Sequence, residues 1–172
     1  FNNIKEVLDE IKEFNANLYL CCLLTYGCLL RPHREIRELK WSDFSDDLSF
    51  INLSGARNKS KKNRIVPVPD FIKDELTLSQ LNHNIFSKAK MPFNPSYFKT
   101  LWIKFKRQSI FIEENQTLYS FRHSGAINIF KRTGSIHKLQ SALGHSSINV
   151  SFTYLRNLEI SKLKVTDMPI LY

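Results

Sequence analysis

Apolar residues recur at Ile4, Val7, Leu8 and Ile11, a three- and four-residue spacing that lays them along one stripe of a helix. The stretch from Phe14 to Leu30 carries no charge, and a second helix over Ala16 to Leu30 follows closely enough to pack on the first. Asn15, Asn17, Thr25 and Gly27 interrupt that run, which falls short of the roughly 20 apolar residues a bilayer span needs, so it reads as a core helix. Between Asp43 and Pro69 the pattern changes. Leu48 to Leu53 and Arg64 to Val68 are β-rich runs joined by Ser54-Gly55 and a basic turn, which predicts a small antiparallel sheet. Helices resume over Asp70 to Leu78, and again after Asn94-Pro95, an N-cap and first-position proline ahead of Phe98, Leu101, Trp102 and Phe105. The segment from Ser79 to Pro95 is the loosest and is expected to be an internal loop. Further on, Ser120 is the predicted cap of a helix from Phe121 to Arg132 ended by Gly134. Ser135 caps the next, which carries Ile136, Leu139 and Leu143 on one face and stops at Gly144. The expected class is α+β, mostly helical with one small antiparallel β-hairpin. The pattern contains no internal repeat, low-complexity stretch or interdomain linker.

Composition changes this picture little: 172 residues, 42% hydrophobic with 13 phenylalanines, suffice for one domain with a real core. Cys21, Cys22 and Cys28 are odd in number, lack CxxC spacing and sit in the apolar run, which suggests buried thiols in a reducing cytosol. Charge matters more. Twenty-five basic against 16 acidic residues give +9, and Arg57, Lys59, Lys61, Lys62 and Arg64 crowd the predicted turn without one acid. Such a turn either faces a polyanion or is simply solvated. No secretory signal opens the chain, and its start at Phe1 suggests a piece of something longer.

Candidate chemistry gathers late in the chain. Tyr154 follows His145 by nine residues, and Arg122 lies upstream in Ser120-Phe121-Arg122-His123. Attack on a phosphodiester puts extra negative charge on its non-bridging oxygens, and a guanidinium can grip two of them at once. Arg122 is expected in a first helical turn, where free N–H groups favour anions, and His145 on the exit turn after Gly144. On one straight helix nine steps of about 100° would put 145 and 154 on opposite faces. Convergence therefore requires the break at Gly144 and a fresh segment capped by Ser146 or Ser147. Each residue also has a duller role: Tyr154 as a core aromatic, His145 as a helix-end cap, Arg122 as a partner of Glu113 or Glu114, Arg31 as a C-terminal helix charge. Their joint order outweighs these.

That order resembles the catalytic domain of a tyrosine recombinase of the phage integrase family, over most of residues 1 to 165. Leu29-Leu30-Arg31, Glu35, Leu39, Trp41 and Asp43 fit the family's first-arginine segment, in which a glycine-leucine-type helix end precedes the arginine. Lys59 stands before Arg64-Ile65-Val66-Pro67 as the family's hairpin lysine does. The second arginine maps to Arg122, the late histidine to His145 and the nucleophile to Tyr154. One position departs: the family commonly has a histidine three residues before the second arginine, and this chain has Tyr119. A phenol donates a hydrogen bond but carries no positive charge, and with a pKa near 10 it shuttles protons less readily than imidazole. The interval Arg31-Pro32-His33-Arg34-Glu35 is also one residue longer than usual, so that Arg34 competes for the first-arginine role. Arg31 is preferred because the apolar run ends there and Pro32 fixes the following turn.

The resemblance implies site-specific DNA recombination by transesterification. Tyr154 attacks a DNA phosphate, forms a 3′-phosphotyrosyl link and frees a 5′-hydroxyl, with Arg31, Lys59, Tyr119, Arg122 and His145 as the other catalytic residues and Lys59 as general acid. Arg57, Lys61, Lys62 and Arg64 would contact DNA. No cofactor or metal is implied. The implied partner is double-stranded DNA, bound by a tetramer that exchanges a C-terminal helix, for which Leu158 to Val165 is the candidate. An additional N-terminal DNA-clamping domain would lie outside residues 1–172, in a cytoplasmic protein without membrane contact. The alternatives are a non-cleaving DNA-binding module of the same fold and a relaxing topoisomerase using the same tyrosine.

Overall fold

A computed structural model describes residues 1–56, 63–145, 148–156, 158 and 163–171, with the backbone alone at Arg57. Helix α1 (Ile4–Phe14) buries Val7 and Ile11, the stripe read from the spacing. Asn15 caps α2 (Ala16–Gly27) by accepting from the Leu18 amide at 2.9 Å. Five consecutive residues of α2, Cys21 to Thr25, are buried, so this helix is wrapped by the rest of the domain, and all three cysteines are free and buried. Among the described residues, no helix is long and apolar enough to cross a membrane.

Helix α2 ends at Gly27, earlier than the apolar run suggests, because Leu29 takes a left-handed φ of 53°. That conformation costs a β-carbon-bearing residue about 1–2 kcal/mol. Burial offsets it: the Leu29 side chain is fully enclosed against Ala126, Leu139 and Leu143. The chain then enters a π-helical turn, Pro32–Ile36, in which the Ile36 amide reaches the Arg31 carbonyl at 3.0 Å and Arg37 reaches Pro32 at 3.2 Å. A π turn holds one residue more than an α turn, and so the longer interval between Arg31 and Glu35 is absorbed locally.

Strands β1 (Phe50–Leu53) and β2 (Arg64–Pro67) pair antiparallel with Leu53 opposite Arg64. Helix α3 spans only Asp70–Lys73, short of the expected Leu78. The stretch expected to be loosest is instead anchored by Asn84, which is 1% exposed. Its side-chain nitrogen donates to the Arg37 carbonyl at 2.7 Å, and its oxygen accepts from the Phe86 and Ser87 amides. Helix α4 (Tyr97–Gln108) is preceded by Ser96, not Asn94, whose side chain accepts from the Ser96 amide at 3.0 Å in a local turn that competes with capping. It buries Phe98, Trp102 and Phe105.

Helix α5 (Leu118–Thr133) begins three residues before the expected start at Phe121. Thr117 is the cap, in a reciprocal box with Ser120, whose hydroxyl accepts from the Thr117 amide at 2.9 Å. Arg122 consequently lies beyond the first turn, and the free-amide argument for its anion affinity does not hold. Gly125 lets α5 cross α2 closely; a β-carbon there would stand 2.0 Å from the Tyr26 carbonyl oxygen. Gly134 and Gly144, both left-handed, end α5 and α6 (Ile136–Leu143) as predicted. Ser146 and Ser147, the expected caps, lie outside the described residues. Helix α7 (Ile148–Phe152) runs into a 3₁₀ turn, Thr153–Leu155, that carries Tyr154.

Two apolar clusters result. The larger joins α1, α2, α4, the sheet and the start of α5; the smaller comprises Leu29, Ala126, Leu139 and Leu143, with Tyr154 and Leu155 against it.

Candidate active site

Arg31 leaves the buried end of the α2 segment, and the π turn returns Glu35 beneath it, so that Arg31 Nη1 donates to Glu35 Oε1 at 2.7 Å. Glu35 is fully buried, and its other oxygen accepts from Arg64 Nη2 at 2.8 Å. Arg64 Nη1 donates at 2.8 Å to the Leu143 carbonyl, one of the last in α6 and therefore free of an intrahelical partner. The same carbonyl accepts from Arg122 Nη2 at 2.8 Å, and Arg122 Nε donates to the Tyr154 hydroxyl at 3.3 Å. A continuous chain of hydrogen bonds thus runs from Arg31 to Tyr154 through residues distant in sequence.

Arg122 is only 1% exposed, and its Nη1 is a buried donor with no partner among the described residues. Leaving such a donor unsatisfied costs about 1–3 kcal/mol or more for a charged group, so an anionic acceptor is favoured here. Arg31 and Arg64 both pair with Glu35, Arg122 shares the Leu143 carbonyl with Arg64, and three guanidiniums against one carboxylate leave a positive surplus. Burial lowers the Arg122 guanidinium from its ordinary value, while the adjoining Tyr154 hydroxyl opposes the change.

His145 follows Gly144 out of α6, with its Nδ1 at 3.0 Å from the hydroxyl of buried Ser151. Burial, then Arg122, Arg31 and Arg64, push its imidazole down to about 4, so it is neutral near pH 7. Its ring lies 5.5 Å from that of Tyr154, and His123 stacks on the same tyrosine at 5.6 Å and 23°. A shallow pocket lined by Thr117, Tyr119, Ser120, His123, Thr153 and Tyr154 opens beside this group. Tyr119 is 44% exposed there, with the His33 ring at 5.9 Å. Its phenol is raised by burial and pulled back by Arg31 and Arg122.

Arg31, Tyr119, Arg122, His145 and Tyr154 are therefore brought to one region. Arg34 is not: it is exposed and donates to the Ala56 carbonyl at 3.1 Å. Arg64, expected to face a polyanion with the turn cations, points inward with its side chain 9% exposed, its two terminal nitrogens donating to the Leu143 carbonyl and to Glu35 while its Nε has no partner among the described residues. Lys59, Lys61 and Lys62 lie outside the described residues, as does the Arg57 side chain. In the proposed exchange segment, residues 159–162 lie outside them too, while Leu163 and Val165 are 78% and 91% exposed. The shared roles of Glu35, Ser151 and the Leu143 carbonyl were not anticipated. The strand alternation could have placed Arg64, which shares a face with buried Val66.

The sequence model of the phage integrase family matches residues 1–160. The chain is 25% identical over 159 residues to a protein named tyrosine recombinase XerA of Thermococcus kodakarensis, covering 89% of this chain and 55% of that protein. It is 26% identical over 169 residues to a tyrosine recombinase of Pseudothermotoga lettingae, covering 90% and 56%. The chain thus spans a little over half the length of these curated relatives. Among solved structures, the catalytic domain of bacteriophage HP1 integrase aligns with a TM-score of 0.65 at 25% identity, covering 90% of this chain and 84% of that one. A lambda integrase dimer bound to a core site aligns with a TM-score of 0.71 at 16% identity, covering 95% and 61%. The mostly helical architecture with its two-stranded antiparallel sheet is the fold of these catalytic domains.

Proposed function

The chain belongs to the phage integrase family, and from that premise we propose that it is the catalytic domain of a tyrosine-type site-specific DNA recombinase. The observation that carries this reading is the contact between Arg122 Nε and the Tyr154 hydroxyl beside an unpartnered guanidinium nitrogen. A phosphate seated against Arg31 and Arg122 would meet the tyrosine oxygen at its phosphorus. The Tyr154 phenol gives up its proton to solvent water as its oxygen bonds to phosphorus, the bond to the 5′-oxygen breaks, and the 5′-hydroxyl leaves with a proton supplied by Lys59 as general acid. The new 3′-phosphotyrosyl link retains the phosphoryl bond, so a 5′-hydroxyl from another strand can reverse the step without ATP. Arg31 and Arg122 stabilise the charge on the non-bridging oxygens, neutral His145 offers its remaining ring nitrogen as a hydrogen-bond partner, and Tyr119 donates where the family more often has a histidine. Lys61, Lys62 and Arg57 would hold the DNA backbone, and Leu158 to Val165 would dock on a neighbouring copy in a tetramer.

Trapping on a nicked suicide duplex tests this. The parent chain should form a covalent protein–DNA adduct, and Tyr154→Phe should lose it entirely while retaining DNA binding. An adduct that survives the substitution moves the nucleophile elsewhere; binding without any adduct in the parent favours a non-cleaving module.

A further inference from the structure

Arg64 has no part in the reaction just described, yet its two terminal nitrogens are both engaged within the region. Its guanidinium spans two acceptors on separate elements: Glu35 Oε2 after the π turn and the Leu143 carbonyl at the end of α6, both at 2.8 Å. On one side, Glu35 holds Arg31. On the other, Leu143 holds Arg122, which reaches Tyr154, and His145 follows two residues on. The side chain also fills a notch over Gly144, where an added β-carbon would stand 2.1 Å from Arg64 Nη1. Gly144 is therefore required twice, by its φ of 67° and by this guanidinium.

Resting on the function proposed above, we infer that Arg64 is a positioning residue: by bonding Glu35 and the Leu143 carbonyl together, it locks the Arg31 side of the phosphate site to the Arg122, His145 and Tyr154 side. A planar fork with fixed donor directions suits this bridge; a lysine ammonium is a point charge that cannot reproduce the fork. Arg64 also begins β2, opposite Leu53.

The test compares the parent chain with Arg64→Met and Arg64→Lys, measuring single-turnover cleavage of the suicide duplex at saturating DNA, DNA affinity with its salt dependence, and the His145 titration by NMR. A misplacement of about 1 Å costs on the order of 100-fold in rate. Both variants should cleave about 100-fold more slowly with DNA affinity changed less than about twofold, and lysine should not rescue. In Arg64→Met the His145 titration should move up from about 4, because one of the cations that depress it is gone. Weakened affinity with a salt slope reduced by about one and unchanged saturated cleavage would make Arg64 a DNA contact and overturn the proposal. Full activity in Arg64→Lys, an unmoved His145 titration in Arg64→Met, or failure of both variants to fold would also overturn it. Failure of the parent to form an adduct would sink the recombinase reading but leave the NMR arm decisive for the bridge.

Discussion

The two apolar clusters differ in what they support. The larger fully buries Phe98, Phe105 and Phe121 around α2, and Arg31 and Glu35 follow directly from that helix. The smaller rests on Leu29, Ala126, Leu139 and Leu143 and carries His145 and Tyr154 at its margin, with Ile129, Phe130 and Ile136 only partly covered. The Arg31 side therefore sits on the larger foundation, whereas the nucleophile side sits on a patch small enough to open alone. Arg64 and Arg122 tie the two together through one carbonyl.

The largest expected effect comes from cutting into the larger cluster. Phe105→Ala should cost about 3–5 kcal/mol in urea unfolding, with helix content and tertiary signals lost together. Leu139→Ala removes a fully buried side chain from the smaller cluster, where half-exposed neighbours can relax inward, and should cost nearer 2 kcal/mol. Hydrogen exchange sharpens the contrast: amides of α6 and α7 should lose protection while those of α2 keep theirs. Equal loss in α2 would mean that the clusters unfold as one unit, and the distinction drawn above would collapse.

The smallest effect is a pH dependence localised to the nucleophile side. Because His145 is depressed from 6.5 to about 4 in the fold, the unfolded chain takes up a proton first as pH falls. Stability should be level in this respect above about pH 6.5 and decline between there and about 4, by roughly 1 kcal/mol once solvent screening of this partly exposed ring is allowed for. His145→Gln should flatten that part of the profile in urea titrations at pH 7 and pH 4.5. An undiminished slope would assign the loss to other groups.

Much of this was readable in the chain, for local reasons. The α1 stripe, the caps at Gly134 and Gly144 and the exit of His145 depend on residues within a turn of one another. The errors arose where neighbours competed. Thr117 and Ser120 both suit a helix start, and the reciprocal box gives the cap to Thr117, which carries Arg122 into the helix interior. Asn94 and Ser96 compete in the same way before α4. For Arg64 two signals conflict: the charge of the basic stretch points it outward, whereas strand alternation turns it toward the side of Val66, and alternation prevails. The Ser151 contact to His145 has no local signal, since it depends on how the chain reverses after Gly144. Glu35 is visible as one acid; that it serves two arginines follows only from the approach of Arg64 at the start of β2 to the π turn.

The widened turn at Pro32–Ile36 shows why counting along the backbone is a poor ruler in this region. Choosing Arg34 instead of Arg31 would promote an arginine that faces water and donates to the Ala56 carbonyl. Because the surplus residue bulges sideways, the acid and Arg31 still meet at 2.7 Å. The lengthening at this spot leaves the acid's grip on Arg31 intact and costs the site no reach.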